Sequence, residues 1–420
     1  MKTRIARLLF LPILIAFTAH AMASGFEPAA PEDVGLSSER LERLTERLEA
    51  YVEDGELAGG VALVARRGRI AYLEAFGRRD IEANAPMTAD AIFRIASQTK
   101  AIVSAGVMIL QEEGALLITD PVGNYLPAFR ETTVAVPRDD GYDVVPASRP
   151  ITIRDLLTHT SGFGYGMGVA SDRWAAAGIQ NWYFADRDEP IGVTVDRMAS
   201  LPADAQPGER WIYGYNTDIL GALIERVSGQ PLDVFLAERI FEPLGMRDTH
   251  FYLPQEKRDR LAKVYSAGEN GLSPAVGTGA IGQGAYVDGP RKSFSGGAGL
   301  LSTATDYARF LQMLLNGGEL DGVRVLSRKS VELMTVGHIG DVPFRPGETF
   351  GLGFYIVEDV GARGVPGSVG EYGWGGAYHS TYWVDPVEEL VVVYLAQLLP
   401  AGDIDDHRKL RTLVYQAIVD

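Results

Sequence analysis

The nine residues Ile92-Phe-Arg-Ile-Ala-Ser-Gln-Thr-Lys100 join a short apolar run to a long helix, which is predicted over Ser97–Gly114. Positions 101–110 of this helix are nearly all apolar except for Ser104, so most of its faces should be buried. Ser97 and Lys100 form the only S-x-x-K pattern in the chain. Because positions i and i+3 share one face of a helix, the Lys100 amine can reach the Ser97 hydroxyl.

This pattern has two interpretations, since S-x-x-K also occurs by chance in many chains of this length. In the first, Ser97 is a nucleophile that passes its proton to Lys100, and the positive end of the helix favours negative charge on the serine oxygen. In the second, Ser97 only caps the helix and Lys100 is solvated. The apolar residues that follow Lys100 count against the second interpretation, because they place the lysine on a buried helix.

The composition excludes several classes of protein. The chain has 420 residues, of which 46% are hydrophobic and 22% are charged, as is typical of a globular protein. The net charge of −16 and the lack of a long basic run argue against nucleic acid and anionic membranes as partners. The absence of cysteine excludes disulfides, thiolate metal sites and a cysteine nucleophile. Nothing in the sequence indicates a cofactor.

Several catalytic motifs are also absent from the sequence. The chain contains no G-x-S-x-G elbow, no H-E-x-x-H pair and no G-x-x-x-x-G-K-[ST] phosphate loop. We therefore expect no metal site, and the pattern does not favour a serine hydrolase of the elbow type.

The first 23 residues have the form of a secretory signal peptide. Three basic residues among the first seven precede the apolar run Leu8–Phe17, and small-residue cleavage sites end at Ala21 and Ala23. The alternative is an uncleaved anchor, but the run is shorter than the roughly 20 residues that a spanning helix needs. We expect a periplasmic or secreted protein with no stable membrane anchor.

Strands are predicted near both ends of the chain, with helices between them. The expected fold class is α+β, an antiparallel sheet flanked by helices with an inserted, mainly helical lobe. The sheet lobe is expected to comprise residues 24–96 and 296–420, the helical lobe residues 97–295, and the active site the pocket between them. The predicted strands are Gly59–Val64, Ile70–Phe76, Gly351–Val357, Tyr378–Val384 and Glu389–Ala396, and the main predicted helices are Ser37–Asp54, Ser97–Gly114, Asp218–Val227, Leu232–Phe241, Ala304–Leu315 and Asp405–Val419.

Two further motifs flank predicted elements. Trp211-Ile-Tyr213-Gly-Tyr215-Asn216 precedes the third of these helices, and Trp374-Gly375-Gly376-Ala377 precedes the strand Tyr378–Val384. Taken alone, the first is explained by aromatic packing in the core and the second by a glycine turn.

Together and in this order, the three motifs resemble those of penicillin-recognising serine hydrolases of the class C β-lactamase type. Within that group the chain is most similar to the family VIII carboxylesterases, over about Gly35 to Leu399. The supporting stretches are Leu156-Leu-Thr-His-Thr-Ser-Gly-Phe163, Arg239-Ile-Phe-Glu-Pro-Leu-Gly-Met246, Gly296-Gly-Ala-Gly-Leu-Leu-Ser-Thr303 and Tyr382-Trp-Val-Asp-Pro386.

The resemblance implies a role for each motif. Ser97 would be the acylated nucleophile, Lys100 its base and Tyr213 the third catalytic residue, which relays a proton to the leaving group. Tyr215 is the alternative to Tyr213, but the spacing to the following helix favours Tyr213. The backbone N–H groups of Ser97 and Ala377 would form the oxyanion hole.

The resemblance also suggests substrate-binding positions. Trp374, Gly375 and Gly376 match the lysine-threonine-glycine motif on the strand that edges the site, and the two glycines let a substrate approach closely. Tyr215 takes the place of an asparagine that binds the acyl amide in the lactamases. His379, two residues beyond Ala377, is a further candidate for contact with substrate.

Two departures from the lactamase pattern bear on the substrate. Trp374 cannot form the ion pair that the lysine of the motif makes with the antibiotic's carboxylate, and Tyr215 replaces the amide-binding asparagine. Both changes favour a neutral, less polar substrate, and therefore an ester. The aromatic residues Trp174, Trp182, Tyr183 and Phe184 either line an acyl pocket or belong to the core. His159 is expected to be mainly structural.

The sequence therefore predicts an exported serine hydrolase that cleaves small carboxylic esters through an acyl-enzyme. The alternatives are a β-lactamase, a D-amino-acid-specific peptidase, an acyltransferase to an alcohol, or a non-catalytic module that binds cell-wall peptide. The partner in every case is a small ester, a β-lactam-like molecule or a peptide.

Overall fold

The computed structural model describes residues 26–269 and 271–420. The predicted signal peptide, residues 1–23, lies outside the described residues, so the fold carries no information on it. Within the described ranges, none of the helices has both the length and the apolar character needed to cross a membrane.

The described chain forms helices and strands whose bounds follow. The helices are α1 Ser38–Glu53, α2 Thr99–Glu112, α3 Ile153–Leu157, α4 Ser171–Ala176, α5 Ile191–Ala199, α6 Asn216–Ser228, α7 Leu232–Leu236, α8 Ala304–Leu315, α9 Arg328–Met334, α10 Val360–Arg363 and α11 Asp406–Tyr415. The strands are β1 Gly59–Arg66, β2 Arg69–Asp80, β3 Ala85–Pro86, β4 Phe93–Arg94, β5 Thr133–Arg138, β6 Gly141–Pro146, β7 Tyr265–Gly268, β8 Gly271–Pro274, β9 Leu301–Ser302, β10 Glu319–Leu320, β11 Val323–Arg324, β12 Glu348–Phe350, β13 Tyr355–Val357, β14 Tyr372–Gly376, β15 Ser380–Asp385 and β16 Leu390–Ala396.

The main sheet has eight strands in the order β12-β13-β14-β15-β16-β1-β2-β3, and every neighbouring pair is antiparallel. It is built from both ends of the chain, because β1 pairs with β16 and places Leu63 opposite Val393. The predicted antiparallel sheet flanked by helices is thereby confirmed. The exact boundaries of the two lobes remain a prediction.

Both faces of the central strands are covered. Along β1, Val61, Leu63 and Ala65 belong to the apolar cluster that contains α2 and α8, whereas Ala62 and Val64 belong to the cluster that contains α1 and α11. Successive side chains in a strand point to opposite faces, so this alternation buries the strand on two sides. The sheet is therefore the middle layer between two layers of helices.

Helix α2 is the most enclosed of the described helices, since every residue from Thr99 to Leu110 is buried. It packs against α6, and the short 3-10 turn Ala96–Gln98 leads into it from β4. The sequence prediction of a buried helix after the S-x-x-K serine is confirmed. At its amino end, Ser97 and Lys100 place polar side chains in an otherwise apolar layer.

One prediction about strands needs correction. Gly351–Val357 is not one strand, because Gly353 turns the chain with a φ of +107°, which favours glycine, and only Tyr355–Val357 pairs as β13. The glycines of the motif at 374–376 lie in β14, opposite β15, as the resemblance implied and not in the turn that the motif alone suggests. The hairpins β5–β6 and β7–β8 were not among the predicted strands.

A buried carboxylate joins the edge of the sheet to the last helix. Glu371, just before β14, is fully buried and accepts two 2.8 Å hydrogen bonds from Arg411 of α11. Arg363 donates a third at 2.8 Å, and the hydroxyl groups of Tyr355 and Tyr415 donate at 3.0 and 2.9 Å. Burial alone would raise the pKa of Glu371, but the two arginines outweigh burial and lower this pKa.

We expect Glu371→Ala to lower the free energy of unfolding by about 3–5 kcal/mol, because it leaves two arginines buried without their shared carboxylate. Urea unfolding at neutral pH measures this loss. Glu39→Ala is the control, since Glu39 is an exposed partner of Arg43 on α1 and should change stability by at most about 0.5 kcal/mol. Equal effects of the two substitutions would contradict the prediction.

The lowered pKa of Glu371 predicts that the free energy of unfolding depends on pH. Because the folded-state pKa of Glu371 lies below its usual value of 4.5, its contribution is present above pH 4.5 and is lost as the pH falls through the lowered value. Glu371→Gln should flatten this part of the curve of unfolding free energy against pH.

Candidate active site

Ser97 lies in the turn between β4 and α2, where the backbone leaves the strand abruptly. The preceding residue, Ala96, has a φ of +43°, a left-handed conformation that residues with a Cβ seldom adopt. The turn places the Ser97 side chain at a cavity of about 440 Å³. The lining of this cavity includes Ser97, Tyr165, Trp182, Tyr213, Arg345, Trp374, Gly375, Gly376 and Ala377.

Lys100 is only 1% exposed, and its amine is surrounded by polar groups. Its Nζ lies 3.3 Å from Ser97 Oγ and 3.2 Å from the Tyr165 hydroxyl, and it donates a 2.7 Å hydrogen bond to the carbonyl oxygen of Gly297. Within the described ranges no carboxylate forms an ion pair with Lys100. The amine is thus held against the serine by neutral groups only.

The Gly297 peptide connects Lys100 to a buried carboxyl group. Its N–H donates to Asp218 Oδ1 at 3.1 Å while its carbonyl accepts from Lys100. Ser295 also donates to Asp218 at 2.6 Å. Burial raises the pKa of Asp218 despite these hydrogen bonds. The N–H and the carbonyl of Gly297 belong to two successive peptide groups, so Gly297 links the lysine to the carboxyl group through two backbone hydrogen bonds.

Tyr213 enters the site from the loop before α6. Its hydroxyl oxygen accepts a 2.9 Å hydrogen bond from Trp374 Nε1, and its ring lies beneath Lys100 Nζ at 4.6 Å from the ring centre. An indole nitrogen can only donate, so the Tyr213 proton stays free to point into the cavity. The structure therefore brings Ser97, Lys100 and Tyr213 to one cavity.

Tyr165 is a site residue that the sequence analysis missed. Its hydroxyl contacts Lys100, its ring packs edge-on against Tyr213, and it lines the same cavity. Burial is the main reason why the pKa of Tyr165 is raised well above 10. Tyr165 follows the stretch at 156–163 by two residues, but nothing in its own spacing distinguishes it from a core tyrosine.

The end of β14 closes the cavity opposite the serine. A Cβ on Gly376 would overlap both the backbone oxygen of Ile95 and the Oγ of Ser380, so only glycine permits this approach. The close contact sets β14 against the turn that carries Ser97. Ala377, the next residue, consequently lines the cavity together with Ser97.

His159 is buried behind the tyrosines. Its Nδ1 accepts a 2.9 Å hydrogen bond from the Asn216 side chain, and its ring packs on Tyr213 at 4.7 Å between centres. Burial, reinforced by the charge of Lys100, lowers the pKa of His159 well below 6.5. A neutral imidazole that supports the Tyr213 ring agrees with a mainly structural role.

Two of the predicted substrate-binding residues do not line the cavity. Tyr215 is fully buried, stacks on Trp174 and donates to the carbonyl oxygen of Asn181 at 2.8 Å, because its ring turns into the core at the start of α6. His379 has a φ of +66°, and its Nε2 pairs with Asp406 at 2.8 Å instead of facing Tyr213. We therefore assign neither residue to substrate binding.

The aromatic residues considered for an acyl pocket divide between core and surface. Trp174 and Phe184 are buried in the core beside Tyr215. Trp182 lines the cavity at Ser97 and also a second cavity of about 790 Å³, which Tyr183 and Ile281 help to line. The Trp182 side chain therefore lies between the two cavities.

A group of possible metal ligands lies near the cavity. His379, Asp406 and His407 have ligand atoms within 4.8 Å of one another. Asp406 already accepts hydrogen bonds from His379 and, at 2.7 Å, from the Tyr394 hydroxyl. Since the carboxylate is occupied by protein donors, we interpret the group as a hydrogen-bonded cluster.

Comparisons with known proteins agree with the fold. A family model described as Beta-lactamase matches residues 44–416. Esterase EstB of Burkholderia gladioli is 34% identical over 380 residues, covering 86% of this chain and 91% of the relative. Lovastatin esterase of Penicillium rubens is 30% identical over 397 residues, covering 85% and 93%.

A solved structure extends the comparison. EstCE1, described as a hydrolase with promiscuous acyltransferase activity, superimposes with a TM-score of 0.76 at 28% sequence identity. The superposition covers 90% of this chain and 98% of that one. The similarity therefore extends through both the sheet and the helical segments.

The contact at Gly376 can be tested through stability. We expect Gly376→Ala to lower the free energy of unfolding by about 1–3 kcal/mol, because the new methyl group meets backbone and side-chain atoms in a packed region. Gly192→Ala is the matched control, since a Cβ there meets no atom within 4 Å and α5 favours alanine. Thermal or urea unfolding distinguishes the two, and a neutral Gly376→Ala would refute the proposed close approach.

Proposed function

Because the chain belongs to the beta-lactamase family and is a serine hydrolase, we propose that it cleaves small carboxylic esters through an acyl-enzyme formed on Ser97. The observation that supports this most directly is the Lys100 amine, buried 3.3 Å from Ser97 Oγ at an open cavity. A lysine in that position serves as a base for the serine.

In acylation, Ser97 Oγ attacks the ester carbonyl carbon while its proton passes to Lys100 Nζ. The carbonyl electron pair moves onto oxygen, where the backbone N–H groups of Ser97 and Ala377 bind the negative charge. When the intermediate collapses, the C–O bond breaks and Tyr213 protonates the leaving alcohol; Lys100 then returns the proton to Tyr213. In deacylation, water attacks the acyl carbonyl carbon and gives a proton to the Tyr213–Lys100 pair. The bond to Ser97 Oγ then breaks, Ser97 takes up that proton, and the acid is released.

The two tyrosines have different roles in this proposal. Tyr213 accepts a hydrogen bond from Trp374, which leaves its own proton available to the leaving group. Tyr165 contacts Lys100 Nζ, the atom that takes the Ser97 proton, so we assign Tyr165 to the positioning of that amine. The contacts of Trp374 favour an ester over a β-lactam, since an indole cannot pair with a carboxylate.

Acyl transfer to an alcohol other than water is the second candidate function. EstCE1, a hydrolase with promiscuous acyltransferase activity, supports it at 28% identity. An alcohol would enter the same cavity and take the place of water in the second half of the reaction. Product analysis with added alcohol separates the two activities, because transfer yields a new ester.

We also propose that the protein is exported and that residues 1–23 are removed. The basic start, the apolar run and the small-residue sites support this. Amino-terminal sequencing of the mature protein distinguishes cleavage after Ala21 from cleavage after Ala23, and an intact Met1 on cell-derived protein would refute export by this route.

We expect Ser97→Ala to abolish ester hydrolysis while the protein stays folded, because no nucleophile remains. Brief exposure to p-nitrophenyl butyrate followed by intact mass spectrometry should show a butyryl adduct on the wild type and none on the variant. Ser200→Ala, at the exposed end of α5, is the control. Full turnover by Ser97→Ala would overturn the assignment, and a long-lived cephalosporin adduct with slow ester turnover would favour a penicillin-binding role.

The tyrosine roles predict a contrast between two conservative variants. Tyr213→Phe should lower kcat for p-nitrophenyl butyrate by about 10²–10⁴-fold, since it removes the proton donor. Tyr165→Phe should lower kcat by about tenfold or less, because the Gly297 carbonyl still holds Lys100. Steady-state kinetics measures both, and the opposite order would exchange the two roles.

A further inference from the structure

We infer that the cavity binds a carboxylate carried by the alcohol part of the ester, and that Arg345 is the residue that binds it. The inference rests on the proposed esterase function. It concerns a residue in the loop before β12 that none of the sequence motifs contains. Arg345 lines the same cavity as Ser97 and Tyr213.

The Arg345 guanidinium is held on an aromatic surface. Its central carbon lies 4.7 Å from the ring centre of Trp374 and 5.0 Å from that of Phe344. Such cation–π contacts orient the planar group but do not neutralise its charge. The N–H groups at its edge remain available to an anion.

The local charges leave this arginine without a full counter-ion. Its salt-bridge partner in the described ranges is Glu348, at 3.6 Å, and Glu348 already binds Arg363 at 2.7 Å. Arg363 and Arg411 both pair with Glu371 as well. Three arginines therefore share two glutamates in these ion pairs, and the 3.6 Å contact of Arg345 is the longest of them.

Of these three arginines, Arg345 is the one that lines the cavity. The side chains of Arg363 and Arg411 are each 10% exposed, whereas that of Arg345 is 51% exposed. Its positive charge at the rim of the cavity favours an anionic group in the substrate.

The position of Trp374 identifies which part of the ester carries the anion. One side of Trp374 supports Arg345, and its Nε1 donates to the hydroxyl of Tyr213, which is proposed to protonate the leaving alcohol. Arg345 therefore lies on the leaving-group side of the cavity. A guanidinium matches a carboxylate with two parallel hydrogen bonds.

This result modifies the expectation of a neutral substrate. That expectation followed from the tryptophan at position 374, which cannot form an ion pair. Arg345 supplies a positive charge from a different segment of the chain, resting on the same tryptophan. The cavity thus combines the apolar ring of Trp374 on β14 with the positive charge of Arg345, which packs on that ring.

A matched pair of substrates tests the inference. Both are butyrate esters of 4-hydroxybenzoic acid; one keeps the free carboxylate and the other carries it as a methyl ester. We expect Arg345→Gln to lower the ratio of kcat/KM for the anionic ester to that for the neutral ester by about three- to tenfold. The loss of kcat/KM for the neutral ester should be smaller than the loss for the anionic ester.

Two controls separate a local contact from general electrostatics. Arg328→Gln removes the same charge from the exposed face of α9, away from the cavity lining, and should leave the ratio unchanged. In the wild type, 0.5 M NaCl should lower the ratio by screening, whereas in Arg345→Gln it should have little effect. An unchanged ratio in Arg345→Gln, or an equal loss with both esters, would overturn the inference.

The experiment also separates this inference from the proposed function. If the wild type hydrolyses neither ester, the esterase proposal fails, and calorimetric binding of 4-hydroxybenzoate then tests Arg345 directly. Weaker binding by Arg345→Gln than by Arg328→Gln would support the anion site. Equal binding by the two variants would reject it.

Discussion

The site depends on how a lysine amine is buried without a carboxylate beside it. Lys100 is held by the Gly297 carbonyl at 2.7 Å and by the Tyr165 hydroxyl at 3.2 Å, and its remaining neighbour is Ser97. A carboxylate in contact with the amine would stabilise its protonated form, and the lysine would then be a poor base. The buried carboxyl group of Asp218 instead accepts from the backbone N–H of Gly297, whose carbonyl binds the lysine. The helix α2, the helix α6 and the loop before β9 must therefore all be in place for the lysine to be positioned.

Much of this arrangement follows from local patterns in the sequence. The S-x-x-K spacing places Ser97 and Lys100 on one helix face, and the apolar run after Lys100 predicts the burial of α2. The short apolar runs Gly59–Val64 and Ile70–Phe76 predict β1 and β2, the paired strands within the main sheet. The order of three motifs predicts that Tyr213 and the strand at 374–376 meet the serine. The helix and the strands are encoded over short distances in the chain, whereas the meeting of the three motifs was predicted through the family resemblance.

What could not be predicted depends on side-chain direction and long-range packing. Tyr215 and Tyr213 are two residues apart in one motif, yet one turns into the core and the other faces the cavity. Tyr165 and Arg345 approach the site from loops whose positions no periodicity determines. The charge of Arg345 becomes significant only when the shared glutamates of Arg363 and Arg411 are known. Such relations exist in the folded chain alone.

The same long-range packing explains why one tryptophan contacts both the proposed proton donor and the proposed anion site. Trp374 lies in β14, whose last glycine contacts the turn before Ser97, so its position is set by the backbone and not by a flexible side chain. From there it donates to Tyr213 and supports Arg345. A substrate anion bound by Arg345 would consequently align the leaving oxygen with the Tyr213 proton. In this geometry the binding of charge and the transfer of the proton depend on one rigid strand, which provides the orientation that catalysis requires.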